Sequence, residues 1–226
     1  MKLVVTEKND AAQKIADLLG VKKPKADKVY STPVYRFDVD GEEWVTIGLR
    51  GHILEPDFTP QIVYKKRGGW RGVTDEGETV PAQLPDTLPK PPFKKKKPFT
   101  EDGVELKSWK MDALPYLVYA PIEKLPKEKE IIRSLKNLAK KADSIVIATD
   151  FDREGELIGA DALSCVRDVN ATAPVSRARY SAFTKEEITH AFSNLVEMDD
   201  CLASAGASRQ DIDLIWGCRL YTSRCV

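Results

Sequence analysis

The sequence places four carboxylates within seven residues: Asp150, Asp152, Glu154 and Glu156. They follow the apolar run 144–148, which predicts a strand, and precede a segment with helical periodicity. Carboxylates this close together repel one another, so they need protonation, a cationic partner or a bound cation. Oxygen ligands without a neighbouring His or Cys favour Mg²⁺ over zinc, and Mg²⁺ in proteins usually also touches a phosphate. The cluster therefore predicts magnesium-dependent phosphoryl chemistry.

Two other interpretations of the acidic cluster remain open. The spacing Asp-x-Asp-x-Glu, with Asp161 at the twelfth position, also fits a degenerate EF-hand calcium loop, although a strand stands where an EF-hand needs a helix. Alternatively, the acidic residues are solvated side chains at a helix start, favoured there by the helix dipole. Glu156 and Arg153 fit this second interpretation best.

A second polar pair follows the first apolar run of the chain. Glu7 and Lys8 come after Leu3-Val4-Val5, as Asp150 comes after the later apolar run. If the two predicted strands are neighbours, Glu7 meets the acidic cluster. Glu7 could then act as a general acid or base, and Lys8 could hold a phosphate oxygen. Ordinary polarity at a helix start is the alternative.

Alternating strands and helices must position these residues. The patterns predict a helix after Lys8 that ends at Gly20, a β-hairpin around Asp40-Gly41, helices near 131–138 and 157–163, and strands at 116–119, 144–148 and 175–181. This alternation predicts an α/β fold with a mostly parallel sheet flanked by helices. After Thr184 the chain is predicted to be helical, as the start of a helical domain.

The segment from about 60 to 113 lacks such periodicity. Six of the fourteen prolines lie between Pro81 and Pro98, beside the lysine run 94–97. We expect a Pro/Lys-rich surface insertion or linker here. The lysine run fits either a contact to a DNA backbone or a solvated loop.

Composition limits the class of protein but does not select a function. Hydrophobic residues make up 42% of the 226, and 35 Lys and Arg balance 35 Asp and Glu, which is typical of a soluble globular chain. Such a balance lacks the bulk basic charge of many nucleic-acid binders, so DNA contacts would need local patches. The four cysteines form no Cys-x-x-Cys pair, so zinc is not expected. No apolar run suits a signal peptide or membrane span, which predicts a cytoplasmic protein without a membrane partner.

The residues around both acidic groups resemble the TOPRIM domain of type IA DNA topoisomerases, and the archaeal topoisomerase I branch looks most similar. The matching segments span residues 2–217 in the family's order. They are Val-Thr-Glu-Lys at 5–8, Gly-Leu-Arg-Gly-His-Ile at 48–53, Thr-Asp-Phe-Asp-Arg-Glu-Gly-Glu at 149–156, Ser-Arg-Ala-Arg-Tyr at 176–180 with Phe183-Thr184, and Ser208-Arg209 with 213–217.

The resemblance implies a role for each matching residue. Glu7 and Lys8 are expected to be catalytic, as the acid/base carboxylate and the phosphate-stabilising lysine. Asp150, Asp152 and Glu154 are expected to bind Mg²⁺. Arg177, Arg179 and Arg209 are expected to contact DNA. His52 follows a glycine in a turn and is not expected to be catalytic.

The resemblance also implies an activity. Family members relax negatively supercoiled DNA by Mg²⁺-dependent, ATP-independent single-strand cleavage, strand passage and religation. The nucleophilic tyrosine is expected in a separate domain beyond residue 226, and the enzyme is expected to be monomeric and nucleoid-associated. A TOPRIM nuclease or primase, or a non-catalytic DNA-binding module, is the alternative.

The resemblance divides the chain into three parts. Residues 1–183 are expected to form the TOPRIM domain, with its insertion at about 60–113, and residues 184–217 to begin a helical DNA-binding domain. Residues 220–226 resemble the translation of two joined transposase mosaic-end adapters, so 218–226 are predicted to be a non-native tail. A lineage-specific tail is the alternative.

Overall fold

The computed structural model describes residues 1–94, 96–107 and 110–224. Lys95 of the lysine run and residues 225 and 226 of the predicted tail lie outside this part of the chain. In chain order, the described strands and helices are β1 (Lys2–Thr6), α1 (Asn9–Leu19), β2 (Lys25–Val29), β3 (Thr32–Val39), β4 (Glu42–Gly48), β5 (Leu54–Phe58), β6 (Gln61–Lys65), β7 (Gly69–Val73), β8 (Thr79–Pro81), β9 (Gly103–Glu105), α2 (Leu114–Leu117), β10 (Ile122–Pro126), α3 (Lys129–Ala139), β11 (Ser144–Ile147), α4 (Arg153–Arg167), β12 (Val175–Arg177), α5 (Lys185–Ser193) and α6 (Asp200–Arg224).

The first of two compact units comprises Met1–Glu55 and Pro126–Ser208. Its six-stranded sheet has the order β12-β11-β1-β4-β3-β2. The pairs β12–β11, β11–β1 and β1–β4 are parallel, whereas β4–β3 and β3–β2 are antiparallel. The predicted α/β fold with a mostly parallel sheet is therefore confirmed.

Helices cover both faces of this sheet. Leu3 and Val5 of β1 belong to one buried cluster with side chains of α3 and α4. Val4, between them, belongs to a second cluster with side chains of α1 and α5. Because successive side chains of a strand point to opposite faces, an unbroken apolar strand such as β1 or β11 needs cover on both sides.

The predicted hairpin is present between β3 and β4. Asp40 and Gly41 form its turn with φ of 53° and 85°. Two consecutive positive φ values belong to a type I′ turn, whose twist matches that of the paired strands.

The second unit comprises Pro56–Leu125 and the residues from Arg209 onward. It contains a four-stranded sheet in the order β8-β7-β6-β9. Ile62, Trp70 and Val104 of this sheet lie in a buried cluster with Tyr116 and Leu117. The segment for which the sequence predicts a surface insertion or linker therefore contains strands and has an apolar core of its own.

The strand predicted at 116–119 is also wrong. Leu114–Leu117 form the short helix α2, with a proline in its first turn, after a 3₁₀ turn at Met111–Ala113. Proline is favoured at a helix start, because the N–H groups of the first turn have no intrahelical acceptor and proline has no N–H. Tyr116 and Leu117 of the run are buried as part of a helical turn. An apolar run of only four residues fits either a strand or a buried helical turn.

None of the helices in the described part of the chain has the length and apolarity that crossing a membrane requires.

Candidate metal and phosphate site

Glu7, Lys8 and Asp150 meet at one edge of the sheet. β1 and β11 are parallel neighbours, with Val5 opposite Ile147, so the residues that follow them emerge side by side. Nζ of Lys8 lies 3.1 Å from Oε1 of Glu7 and 4.0 Å from Oδ2 of Asp150. This hydrogen bond to Glu7, followed by the charges of Glu7 and Asp150, raises the pKa of Lys8. Lys8 is therefore held protonated between two carboxylates.

A close backbone approach positions Glu7 and Lys8. A Cβ at Gly48 would lie 2.5 Å from the main-chain nitrogen of Asn9 and 2.6 Å from the carbonyl carbon of Lys8. Only glycine lets the end of β4 pass so near the β1–α1 turn. The hydroxyl of Thr6 lies 2.9 Å from the main-chain oxygen of Lys8 and can donate to it, which also fixes this turn.

The start of α4 positions the later carboxylates. Asp152 is the N-cap, and its Oδ1 accepts a 2.7 Å hydrogen bond from the backbone N–H of Gly155. A Cβ at Gly155 would lie 2.0 Å from the main-chain oxygen of Asp150. The hydroxyl of Thr149 donates to the main-chain oxygen of Gly155 at 2.7 Å. The Asp150–Asp152 loop is therefore pinned to the first turn of the helix.

His52 contacts the same group of carboxylates. Its Nε2 lies 3.1 Å from Oε2 of Glu154, and its Nδ1 lies 4.0 Å from Oδ2 of the buried Asp161. Hydrogen bonding with Asp161, and then with Glu154, raises the pKa of His52. His52 thus links a half-exposed carboxylate to a buried one seven residues further along the same helix. Sequence analysis did not find this link, because nothing in the sequence places 48–53 beside α4.

The loop after β4 continues the parallel pairing and so delivers His52. The backbone N–H groups of Leu49 and Gly51 donate to the main-chain oxygens of Thr6 and Glu7, each at 3.0 Å. Between them, Arg50 adopts a left-handed φ of 63°. Such a conformation is uncommon for a residue with a side chain and turns the backbone sharply.

Arg177 and Glu156 form a buried ion pair behind the site. Nε of Arg177 donates to Oε2 of Glu156 at 2.8 Å, and both side chains have no exposed surface. Nη1 and Nη2 of Arg177 donate to the main-chain oxygens of Ala178 at 2.5 Å and Asp150 at 3.0 Å. The other carboxylate oxygen of Glu156 accepts from the backbone N–H of Asp199 at 2.8 Å.

This arrangement corrects two expectations. Arg177 was expected to contact DNA, but its guanidinium is buried and bonded within the fold, so it presents no surface to a ligand in this conformation. Glu156 fitted a solvated helix-start residue, but it is completely buried. Helical periodicity places Glu156 on the apolar face of α4, and this is the signal that could have identified it. A charged residue on that face is buried and therefore requires a partner of opposite charge.

The EF-hand interpretation is wrong as well. The loop after β11 enters α4 at Arg153, so Asp161, the would-be twelfth ligand, lies inside the helix and is buried. An EF-hand needs this residue at the end of a loop.

Arg179 lies at a groove beside the acidic residues. This groove has a volume of about 600 Å³ and is lined by Asp150, Phe151, Asp152, Arg179, Tyr180, Ser181, Phe183 and Glu187. The hydroxyl of Tyr180 donates to the main-chain oxygen of Ala148 at 2.7 Å, and burial strongly raises the pKa of Tyr180. Tyr180 is therefore a structural phenol and a poor nucleophile.

Arg209 lies on the part of α6 that belongs to the second unit. Its side chain is exposed, and its Nε is 3.9 Å from Oδ2 of Asp213.

The carboxylates at this edge suit a hard cation held in part by other ligands. Within the described residues, no three His, Cys, Asp or Glu side chains form a ready metal cage. The side chains of Asp150 and Glu154 are half-exposed, and one oxygen of Asp152 remains besides the one that caps α4. Mg²⁺ typically takes one or two protein carboxylates and keeps several waters, so this donor set fits it.

Comparison with known proteins identifies the family. The family profile described as "Toprim domain" matches residues 2–183. This chain belongs to the Toprim family. The expected resemblance is therefore confirmed, and the matched segment contains Glu7, Lys8 and the whole acidic cluster.

Relatives of this Toprim chain include proteins named DNA topoisomerase 1. That of Archaeoglobus fulgidus is 38% identical over 222 residues, which covers 96% of this chain and 26% of the relative. That of Thermoplasma acidophilum is 32% identical and is covered over 22% of its length, again with 96% of this chain. The solved structure of full-length topoisomerase I from Thermotoga maritima aligns with 94% of this chain and 24% of its own, at 21% identity and a TM-score of 0.46. This Toprim chain thus spans about a quarter of the length of these relatives.

Proposed function

We propose that this chain is the Toprim part of a type IA DNA topoisomerase, which relaxes negatively supercoiled DNA with Mg²⁺ and without ATP. The observation that carries the proposal is the placement of Glu7, Lys8 and Asp150 at the ends of two adjacent parallel strands. The similarity to proteins named DNA topoisomerase 1 supports it. The nucleophilic tyrosine is proposed to lie outside these 226 residues.

Each residue of the site has a proposed task. Lys8 places a positive charge where a phosphate oxygen of the scissile phosphodiester binds, and its hydrogen bond to Glu7 orients it. Glu7 holds and transfers the proton of the hydroxyl that leaves on cleavage and attacks on religation. Asp150, Asp152 and Glu154 hold Mg²⁺, which when bound neutralises charge on the phosphate.

The remaining expectations on this chain are also proposals. Arg179 and Arg209, both exposed, are proposed to contact single-stranded DNA. Residues 184–217 are proposed to begin a helical DNA-binding region, and 218–226 to be a non-native tail. We also propose that the full-length protein is monomeric, acts in the cytoplasm on the nucleoid, and does not span a membrane.

Assays of the full-length protein with negatively supercoiled plasmid test the proposal. We expect a stepwise loss of supercoils with Mg²⁺ and no ATP, and a covalent tyrosyl–DNA adduct after denaturation. Glu7→Gln should slow relaxation by about 10²–10⁴-fold, because the amide keeps the shape of the side chain but cannot transfer the proton. Nicked or linear plasmid without relaxed closed circles would instead indicate a Toprim nuclease, and primer synthesis would indicate a primase.

A further inference from the structure

Two exposed aromatic rings border the groove beside Asp150. Phe151 is 50% exposed and Phe183 is 38% exposed. Single exposed aromatic residues are ordinary on protein surfaces. Here, however, both rings line the same groove of about 600 Å³, a size typical of sites for small organic groups. The groove thus offers two ring faces to a planar ligand.

A cation accompanies each ring. The guanidinium carbon of Arg179 lies 4.5 Å from the centroid of Phe151, and Nζ of Lys14 lies 5.2 Å from the centroid of Phe183. Tyr180 packs against Phe183 with the centroids 5.2 Å apart. These contacts hold both rings at the surface in defined positions, which lowers the entropic cost of stacking a ligand on them. Aromatic rings interspersed with Arg and Lys are typical of surfaces that bind single-stranded nucleic acid.

The charges of the groove select the part of a nucleotide that enters it. The carboxylates of Asp150, Asp152 and Glu187 line it together with the single cation of Arg179. Asp150 and Asp152 are assigned to Mg²⁺, which would attract the phosphate to their edge of the groove. The remaining pair, Glu187 and Arg179, carries no net charge that would attract a second phosphate. A nucleobase is neutral, and its amino and imino groups can donate hydrogen bonds to carboxylates. The groove therefore fits a base, with the phosphate outside it.

We propose that Phe151, Phe183 and Arg179 form a stacking subsite for an unpaired base of single-stranded DNA. The base stacks on the phenylalanine rings, and its backbone passes towards Lys8 and the carboxylates. A base inside a duplex is not available for this contact, so the subsite favours single-stranded over double-stranded DNA. The inference rests on the proposed function in taking DNA as the substrate.

An abasic oligonucleotide separates base stacking from phosphate binding. The binding of this chain to a fluorescein-labelled 12-nucleotide oligothymidylate is measured by anisotropy and compared with a strand of equal length that carries abasic residues. The two probes have the same phosphates. We expect the abasic strand to bind about tenfold more weakly, because base–aromatic stacking contributes about this factor or more per base.

Variants assign the difference to this groove. Phe151→Ala/Phe183→Ala should bind oligothymidylate about tenfold more weakly and no longer distinguish the two strands. Phe151→Tyr keeps an aromatic face and should retain the preference. Tyr30→Ala is the matched control, because Tyr30 is 48% exposed and stacks with Arg133 at 4.0 Å but does not line this groove. Lys8→Ala should weaken binding of both strands equally. Circular dichroism and urea unfolding establish that each variant is folded.

The outcomes separate the subsite from the proposed function. Equal binding of the two strands by the parent chain, or no measurable binding of either, overturns the subsite. A preference that survives Phe151→Ala/Phe183→Ala overturns it too. If the full-length protein relaxes plasmid but the strands bind equally, only the subsite is wrong. If the preference follows Phe151 and Phe183 but plasmid is not relaxed, the proposed function is wrong and the subsite stands.

Discussion

Nη2 of Arg177 donates a 3.0 Å hydrogen bond to the main-chain oxygen of Asp150, so a buried guanidinium holds the loop that carries the first carboxylate of the acidic cluster. The same guanidinium pairs with the buried Glu156. The outer carboxylates are thus supported by an inner pair of charges, which ties the geometry of the candidate site to the stability of the fold.

Removal of Arg177 should be strongly destabilising. Arg177→Met leaves the carboxylate of Glu156 buried without its cation, and we expect the free energy of unfolding to fall by about 3–5 kcal/mol. Urea denaturation of the chain measures this loss. Arg153→Met, at an exposed position of α4, is the control and should change stability by less than about 0.5 kcal/mol. Similar losses for the two variants would contradict a supporting role for Arg177.

Gly155→Ala should also destabilise the chain. A helical Gly→Ala change normally stabilises by about 1 kcal/mol. At Gly155, however, the new Cβ would meet the main-chain oxygen of Asp150 at 2.0 Å, and we expect a loss of about 2–4 kcal/mol in urea denaturation. Gly217→Ala, where a Cβ meets nothing within 4 Å, should cause no loss. A stabilised Gly155→Ala variant would show that the close approach is not present.

Tyr180 should make stability decline at alkaline pH. Its pKa is raised in the folded chain by burial, so the neutral form is favoured there. The contribution is complete below the unfolded pKa of about 10 and is lost as the pH rises through the folded pKa. Tyr180→Phe should cost about 1 kcal/mol at pH 7, from the lost hydrogen bond to Ala148. The cost should shrink above pH 10. Tyr119→Phe, at an exposed site, serves as the control, and a cost for Tyr180→Phe that does not vary with pH would contradict the assignment.

His52 should act through Glu154. His52→Ala in the full-length protein removes the 3.1 Å contact that orients this carboxylate, and we expect the Mg²⁺ midpoint of relaxation to rise about tenfold. The rate at saturating Mg²⁺ should change less, because His52 is not assigned a step of the reaction. His190→Ala, at an exposed position of α5, should leave the midpoint unchanged. An unchanged midpoint in His52→Ala would remove His52 from the site.

The sequence predicts the outer part of the site because local patterns determine it. Glu7 and Asp150 each follow an unbroken apolar strand, and the carboxyl ends of adjacent parallel strands lie at one edge. The remaining condition was that β1 and β11 are neighbours, which the register of Val5 with Ile147 confirms.

The inner part of the site depends on contacts between distant segments. Glu156 and Arg177 are 21 residues apart, and His52 and Glu154 are 102 apart. No local spacing encodes such pairs. Glu156 and Arg177 were therefore assigned to the surface, where charged residues usually lie. The strands of the second unit were missed for a different reason. Around Trp70, single apolar residues stand among glycine and basic residues, so the strand pattern is not visible. The core of the second unit also includes α2, whose apolar residues were assigned to a strand.

Magnesium titration of plasmid relaxation by Asp150→Ala/Asp152→Ala in the full-length protein tests the metal assignment most directly. Asp86→Ala/Asp168→Ala, which removes two exposed carboxylates that each pair with a lysine, is the matched control. We predict that loss of Asp150 and Asp152 raises the Mg²⁺ midpoint and lowers the maximal rate of relaxation and religation, while DNA binding changes less. The control should match the parent. The same midpoint and maximal rate in Asp150→Ala/Asp152→Ala as in the parent would contradict the assignment of these carboxylates to Mg²⁺.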